Sequence, residues 1–373
     1  MDLVHKKIFL TVTNDLVTDQ RMQRICGTLA GAGADVCLVG RKAAPMIPLP
    51  AFPFRTERLG VAVHKGFLFY ALFNLRLFFY LLFRNLDIIV SNDLDTLTAC
   101  RMVCLLRRKV LVYDTHELFT EVPELVNRRF VQSIWLGLER AFLPGVRYSY
   151  TVNPSLAAYY HEKYGVPMKV IRNLPYSREL SKEGVQPFPG TEGKQVILYQ
   201  GSVNLGRGLE MVIDAMAFLP GCILLIVGTG DVLENLKTQA GSKEYSSRIL
   251  FAGRIVPSEL HRITQQAQVG VSVEEWAGLN YYYASPNKLY DYIQARVPVL
   301  VSPFPEMQSL VEIWNIGQVL RERTPAALAG QLQEMISDGN LRKQWYGGLE
   351  MAARELCWER EQEKLLEFYR GLC

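Results

Sequence analysis

The stretch Tyr113-Asp-Thr-His-Glu-Leu-Phe sets His116 and Glu117 directly behind a short apolar run, where a strand would end and meet a ligand. An imidazole near its ordinary pKa can donate a hydrogen bond or carry a proton; a lone histidine can equally be structural. No serine or cysteine stands close enough in sequence to form a recognisable nucleophile–base pair, so a hydrolytic triad has no positive support. A second stretch, Tyr199-Gln-Gly-Ser-Val-Asn-Leu-Gly-Arg-Gly-Leu-Glu, carries an apolar run through Gly201 and Ser202 into a glycine-rich turn that opens a helix. Backbone N–H groups at a helix start favour anions, and Arg207 adds a guanidinium suited to phosphate oxygens. The spacing is neither a Walker loop nor a dinucleotide fingerprint, and Gly228-Thr-Gly-Asp lacks the third glycine of the latter. In the third stretch, Ser285 is a good helix N-cap and Pro286 suits the first helical position. Asn287 and Lys288 then add a polar side chain and a positive charge in the first turn, a combination that can hold a diphosphate without a metal. Asp291, four residues after Asn287, shares a helical face with it and could accept two hydrogen bonds from a ribose diol. A capped structural helix would show the same spacing.

Between these stretches, short β-branched or apolar runs alternate with helical patterns. The runs fall at 8–13, 34–40, 86–92, 110–114, 148–152 and 170–173, then at 195–200, 222–227, 248–253, 269–273 and 297–302. Plausible helices lie between them, for example at 19–32, 94–106 and 154–164. Such alternation implies an α/β chain with parallel sheets covered on both faces. The polar, Pro- and Gly-rich segment 177–194 reads as an interdomain linker. It separates a domain at 1–176 from one at 195–356, with a terminal helix at 357–373 packing back on the first. Ligands of doubly wound sheets bind beyond the carboxyl ends of the strands, so the chemistry is expected in a cleft between two such ends.

The chain has 373 residues, of which 49% are hydrophobic and 21% charged. That length suits two domains of roughly 100–200 residues each, and the balance excludes a largely disordered or collagen-like chain. Forty-one Lys and Arg against 37 Asp and Glu give +4, far from the concentrated basic face of a dedicated DNA binder, so no nucleic acid partner is expected. Seven cysteines form no C-x-x-C pair; buried thiols in a reducing cytosol are expected rather than disulfides or a zinc site. The N-terminal apolar run breaks at Asn14-Asp15, too early for a signal-peptide core. The stretch 66–83 approaches the ~20 residues that span a bilayer. Asn74 and Arg76 sit at its centre, however, and an Arg there costs roughly 2.5–3.5 kcal/mol. It reads as a helix buried over a sheet, or as one whose outer aromatic face, flanked by Lys65 and Arg84, also touches lipid.

Phe251-Ala-Gly-Arg, Ser-Pro-Asn-Lys-Leu-Tyr-Asp-Tyr from Ser285, Val297-Pro-Val-Leu-Val-Ser, the His116 stretch and the closing Cys357-Trp-Glu resemble the retaining glycosyltransferases of family 4. These are the group 1 transferases, with the GT-B architecture of two Rossmann-like domains. The resemblance spans essentially the whole chain and implies a nucleotide-diphosphate sugar as donor, no metal and no further cofactor. It places Gly201, Ser202 and Arg207 at the donor phosphates and Ser285, Pro286, Asn287 and Lys288 at the diphosphate. Asp291 would take the ribose, Gly253 and Arg254 would lie beside the base, and His116, with Glu117 next to it, would reach the sugar ring. His116, Arg207 and Lys288 are the implied catalytic groups. Where the family carries two glutamates separated by seven residues, this chain has Tyr283 and Asp291, and Glu274 or Glu275 is expected to take over part of the missing acid's role. Asp93-Leu-Asp matches the D-x-D metal pattern of the other large glycosyltransferase architecture, but is expected to be a loop and helix-capping feature.

The implied acceptor is a glycan or lipid-linked glycan, and the basic residues from Arg101 to Arg129 favour one at the membrane surface. The expected location is the cytoplasm, with peripheral contact at the inner face of the membrane. Two other readings stay open: a catalytically silent glycan-binding or partner subunit, and a nucleotide-sugar epimerase, for which no acid–base pair is evident.

Overall fold

The computed structural model describes residues 3–42, 48–126, 128–180 and 186–372. The chain divides into two compact units, one made of Met1–Asn173 with Arg360–Cys373 and the other of Leu174–Glu359. The middle of the expected linker, residues 181–185, lies outside the described residues; the rest of 177–194 is neither helix nor strand.

The first unit contains strands β1 (Lys7–Thr11), β2 (Asp35–Arg41), β3 (Arg55–Leu59), β4 (Ile88–Asn92), β5 (Val110–Thr115), β6 (Tyr148–Thr151) and β7 (Lys169–Val170). Helices α1 (Gln20–Gly31), α2 (Gly66–Leu82), α3 (Leu94–Arg107), α4 (Pro123–Val126), α5 (Arg129–Phe142) and α6 (Pro154–Tyr164) connect them. The strands form one parallel sheet in the order β3-β2-β1-β4-β5-β6-β7. Burial on both faces explains why β4, Ile-Ile-Val-Ser-Asn, shows no polar alternation: all five residues are buried. Helix starts are set locally. Asp19 caps α1 by accepting the Met22 N–H at 3.0 Å, and Asn153 caps α6 by accepting that of Leu156 at 2.9 Å.

In the second unit the strands are β8 (Gln195–Gln200), β9 (Cys222–Val227), β10 (Ile249–Gly253), β11 (Val269–Ser272), β12 (Val299–Val301) and β13 (Gly317–Val319). Its helices are α7 (Leu209–Ala215), α8 (Leu233–Gly241), α9 (Pro257–Thr264), α10 (Leu279–Tyr282) and α11 (Asn287–Gln294). They are followed by α12 (Pro305–Trp314), α13 (Pro325–Ser337) and α14 (Gly339–Glu355). The sheet is again parallel, in the order β10-β9-β8-β11-β12-β13. Alternate residues of β8 and β9 feed separate cores: Ile197, Tyr199, Leu224 and Ile226 on one face, Val196, Leu198, Leu225 and Val227 on the other. The last helix, α15 (Trp358–Arg370), contributes its residues from Arg360 onward to the first unit. There Phe368 meets the Tyr150 ring edge-on at 5.2 Å, and Glu361 accepts the Arg172 N–H at 2.7 Å.

These two sheets are the α/β, doubly wound pair expected from the sequence. In each, the strand order reverses at one point, between β1 and β4 and between β8 and β11. Carboxyl ends at such a reversal are where a doubly wound sheet receives ligands. Three details differ from the sequence-based expectation. The edge strands β3 and β13 were not anticipated, and α11 starts at Asn287 with Pro286, not Ser285, in the capping position.

Candidate functional site

At the reversal in the second sheet, β8 ends at Gln200 and turns at Gly201, while β11 ends at Ser272 with Glu274 two residues on. Glu274 is fully buried. Its Oε1 lies 2.7 Å from Nζ of Lys288, and its Oε2 accepts the Ser272 hydroxyl at 2.8 Å. Arg207 Nη1 is 3.7 Å from the same Oε1, and its guanidinium lies over the Tyr281 ring, 4.6 Å from the centre. Burial pushes the Glu274 carboxyl up, but Lys288, and after it Arg207 and Ser272, outweigh that and hold it below the usual carboxylate range. Lys288, also nearly buried, sits 4.1 Å from the Tyr199 ring centre. Two cations thus share one carboxylate, leaving net positive charge beside the turn from Gly201 to Gly208.

Backbone contacts fix this turn. Gly208 has φ +72°, and a Cβ there would stand 2.1 Å from the Val273 carbonyl; at Gly228, φ +144°, a Cβ would stand 1.8 Å from that of Gly201. Arg323 donates to the Val273 and Glu274 carbonyls at 2.8 and 3.1 Å, and Ser302 to that of Glu274 at 2.6 Å. The segment carrying Glu274 is therefore held from three sides, and the carboxylate lies beneath the site, engaged with the cations.

The other residues singled out in this unit fall around that core. Asp291 accepts from Gln200 Nε2 at 3.2 Å, and Gln200 is oriented in turn by the Thr264 hydroxyl at 2.7 Å. Gly253 ends β10, and its carbonyl accepts the Gly228 N–H at 2.8 Å. Ser202 is exposed beside Gly201, its carbonyl accepting the Tyr199 hydroxyl at 2.6 Å. Asn287 opens α11 and is exposed, as is Arg254. Tyr283, where the resemblance expects an acid, belongs to an aromatic run: its ring is 5.1 Å from Tyr282, which lies 4.9 Å from Trp276.

The reversal in the first sheet carries a separate ionic network. Asp93 follows β4 with φ 58° and ψ 178°, a conformation ordinarily left to glycine. Its buried carboxylate holds four groups: Asn92 Nδ2 at 3.0 Å, the Thr115 hydroxyl at 3.0 Å, the His116 N–H at 3.2 Å and, as an ion pair, His116 Nδ1 at 2.9 Å. Burial alone would push the imidazolium pKa down, but Asp93, and to a lesser degree Glu117, push it up to about 10. His116 therefore stays charged at neutral pH while remaining 37% exposed. Behind it, Arg21 forms a two-pronged, fully buried pair with Asp114, with one arm also donating to Asn92 at 3.1 Å. Asp95 accepts from the Thr13 hydroxyl, and burial, followed by the charge of Asp93, pushes it up to about 8. The D-x-D pair is thus split between an ion-pair partner and a largely protonated acid. Among the described residues, no group of three or more His, Cys, Asp and Glu side chains is arranged to hold a metal.

Sequence spacing signalled Gly201, Arg207, Lys288 and Asp291, because they lie on one turn or one helix. It gave no sign of Arg21 and Asp114, 93 positions apart, or of Asp93 as the partner of His116. The cues for Asp93 were its position at a strand end and its place in a D-x-D pattern, and neither pointed to His116.

Two parallel α/β units with polar groups gathered at both strand-order reversals define a class of fold shared by nucleotide-sugar transferases. Residues 183–347 match the family model described as glycosyl transferases group 1, and residues 20–174 match that of glycosyltransferase family 4. The chain belongs to this glycosyltransferase family, and its fold is GT-B. No curated protein sequence matches it. Among solved structures it is similar to sucrose-phosphate synthase from Thermosynechococcus elongatus, at 20% identity over 99% of both chains with a TM-score of 0.79. It is also similar to Anabaena HepE in complex with UDP and glucose, at 14% identity over 98% of this chain and 100% of that one, TM-score 0.74. A third is WaaG, a glycosyltransferase involved in lipopolysaccharide biosynthesis, at 17% identity over 98% and 100%, TM-score 0.67.

Proposed function

We propose that this glycosyltransferase moves a sugar from a nucleotide-diphosphate sugar to a glycan or lipid-linked acceptor, with retained anomeric configuration and without a metal, in surface polysaccharide or glycoconjugate synthesis. The observation that carries the reading is the Arg207–Glu274–Lys288 cluster beside the Gly201–Gly208 turn: excess positive charge and a backbone pinned at a strand-order reversal suit a diphosphate. Arg207 and Lys288 would neutralise the charge that builds on the departing diphosphate, with N–H groups of the turn and of the start of α11 assisting. Glu274 would keep Lys288 aimed, acting as a positioning residue. Asp291, oriented by Gln200, would take the ribose hydroxyls, while Ser202, Ser285, Pro286 and Asn287 line the diphosphate and Gly253 and Arg254 the base. His116, held as an imidazolium, would donate to a hydroxyl of the transferred sugar, with Glu117 at its side. The metal-free reading is supported by the two cations gathered beside the Gly201–Gly208 turn and by the commitment of Asp93 and Asp95 to other partners. The UDP-glucose complex of HepE and the lipopolysaccharide role of WaaG support these donor and acceptor classes.

Isotope transfer from a panel of UDP-, GDP- and ADP-sugars to cell-envelope extract, with and without EDTA, tests this. Transfer from one donor should persist in EDTA, and Arg207→Ala or Lys288→Ala should lower turnover at least tenfold. Abolition by EDTA would overturn the metal-free part. Donor binding without transfer to any acceptor would instead mark a silent glycan-binding or partner subunit.

A further inference from the structure

Helix α2 buries Phe69, Phe73, Leu77 and Leu81, one stripe at a spacing of four residues, against its own unit. The rest of the helix is also largely apolar: Phe67, Leu68, Leu75 and Phe79 are exposed, and Phe83 just beyond its end is 80% exposed. Met102, Leu105 and Leu106 on α3 and Phe130 on α5 continue the exposed apolar surface. Between the three helices runs an open apolar groove of about 390 Å³, lined among others by Tyr70, Phe78, Met102, Trp135 and Leu138. The one amide side chain that α2 gives to it, Asn74, is satisfied internally. The amide donates to the Tyr70 and Asp95 carbonyls at 3.0 and 2.7 Å and accepts the Ala99 N–H at 3.2 Å. Filling the groove with hydrocarbon would therefore not strand this amide.

The exposed charges carried by these three helices have one sign. The two carboxylates in α2, α3 and α5, Asp95 and Glu139, are both buried. Arg76, Arg129 and Arg140 on those helices and Lys65, Arg84, Arg108 and Arg128 at their ends are exposed. Arg107 donates to the Leu81 carbonyl at 3.3 Å at the end of α2 and thereby ties the helices together. An apolar surface whose own helices expose only cations is complementary to a membrane whose headgroups are anionic and whose interior is hydrocarbon. No helix among the described residues is long and apolar enough to cross a membrane. We propose that the α2–α3–α5 face docks on an anionic lipid bilayer, with Phe79 and Phe83 entering the leaflet and a lipid chain occupying the groove.

The docking does not depend on the donor chemistry, so the test omits nucleotide sugar. The full chain is sedimented with vesicles of pure phosphatidylcholine and with vesicles containing three parts in ten phosphatidylglycerol. Binding should be at least tenfold stronger to the anionic vesicles and weaken as salt rises. Phe79→Ser with Phe83→Ser should lower it at least tenfold, and Arg128→Glu with Arg129→Glu should remove the preference for anionic lipid. All four side chains are exposed, and an unchanged melting temperature confirms that the variants fold. Equal binding to both vesicle types, unchanged binding by either double variant, or binding only when a polyprenyl phosphate is included would overturn the proposal; the last would assign the groove to an acceptor's tail.

Discussion

At the scale of single residues, the proton inventory of the first unit makes two predictions. His116 is charged because Asp93 lies 2.9 Å away, so the charge is borrowed from a partner rather than intrinsic to the imidazole. With a folded pKa raised to about 10, the pair's contribution to stability is fully present below about 6.5 and is lost as pH rises through about 10. Asp93→Asn removes the counter-charge, and the His116 pKa should fall back toward about 6.5, readable as the titration of its ring proton by NMR. Transfer by that variant should then survive better at pH 6 than at pH 8, whereas the parent chain should retain it at both. Asp95 shows the same linkage in a carboxyl group. Its folded pKa is raised to about 8, so stability is complete below about 4 and falls as pH climbs through about 8. Asn mimics the protonated acid, so Asp95→Asn should flatten that fall and raise the melting temperature more at pH 8 than at pH 5, with about 2–4 °C expected per kcal/mol recovered. Equal shifts at both values would mean that Asp95 is not the titrating group. The sequence could mark His116 as interesting because it follows a strand run. It could not supply the partner, because register between β4 and β5 sets that contact.

Among the elements, the interior strands were legible because burial on both faces writes an unbroken apolar run, as in Cys-Ile-Leu-Leu-Ile-Val of β9. The missed strands are both edges. β3 reads Arg-Thr-Glu-Arg-Leu with most of its residues partly or fully exposed, and β13 has three residues. Neither needs an apolar signature, since one flank of each stays unpaired. The start of α11 was misplaced because Ser285-Pro286 fits the usual capping preference, whereas the structure puts the proline itself at the cap, with its carbonyl accepting the Leu289 N–H at 3.0 Å. Glycine placement was the more dependable signal. Gly208 combines a positive φ with a carbonyl where a side chain would go, so Gly208→Ala must displace either the turn or the Val273 segment leading to Glu274. A loss of about 1–3 kcal/mol follows from the strain, together with weaker nucleotide binding. Denaturant titration and nucleotide calorimetry on the variant measure the two effects; unchanged affinity would detach the turn from the phosphate site.

For the whole molecule, the division into Met1–Asn173 with Arg360–Cys373 and Leu174–Glu359 bears directly on where a ligand's stabilisation should appear. The sequence indicated two domains through its polar segment at 177–194, but the unit boundary is drawn by contacts, and contacts such as Glu361 with the Arg172 backbone join residues 189 positions apart. Every group assigned to the diphosphate, ribose and base lies in the second unit. A ligand that binds the native state stabilises what it touches, by about 2.7 kcal/mol at one hundred times its dissociation constant, and amide exchange resolves that stabilisation region by region. Saturating nucleoside diphosphate without a sugar should therefore slow exchange in β8, β11 and α11, and leave β1, β4 and β5 unchanged. The full nucleotide sugar should add protection at the peptide carrying His116, because only the sugar is assigned to that imidazole. Protection of the His116 peptide by the bare diphosphate would place the phosphates in the wrong unit, and no added protection with the sugar would remove His116 from the donor site.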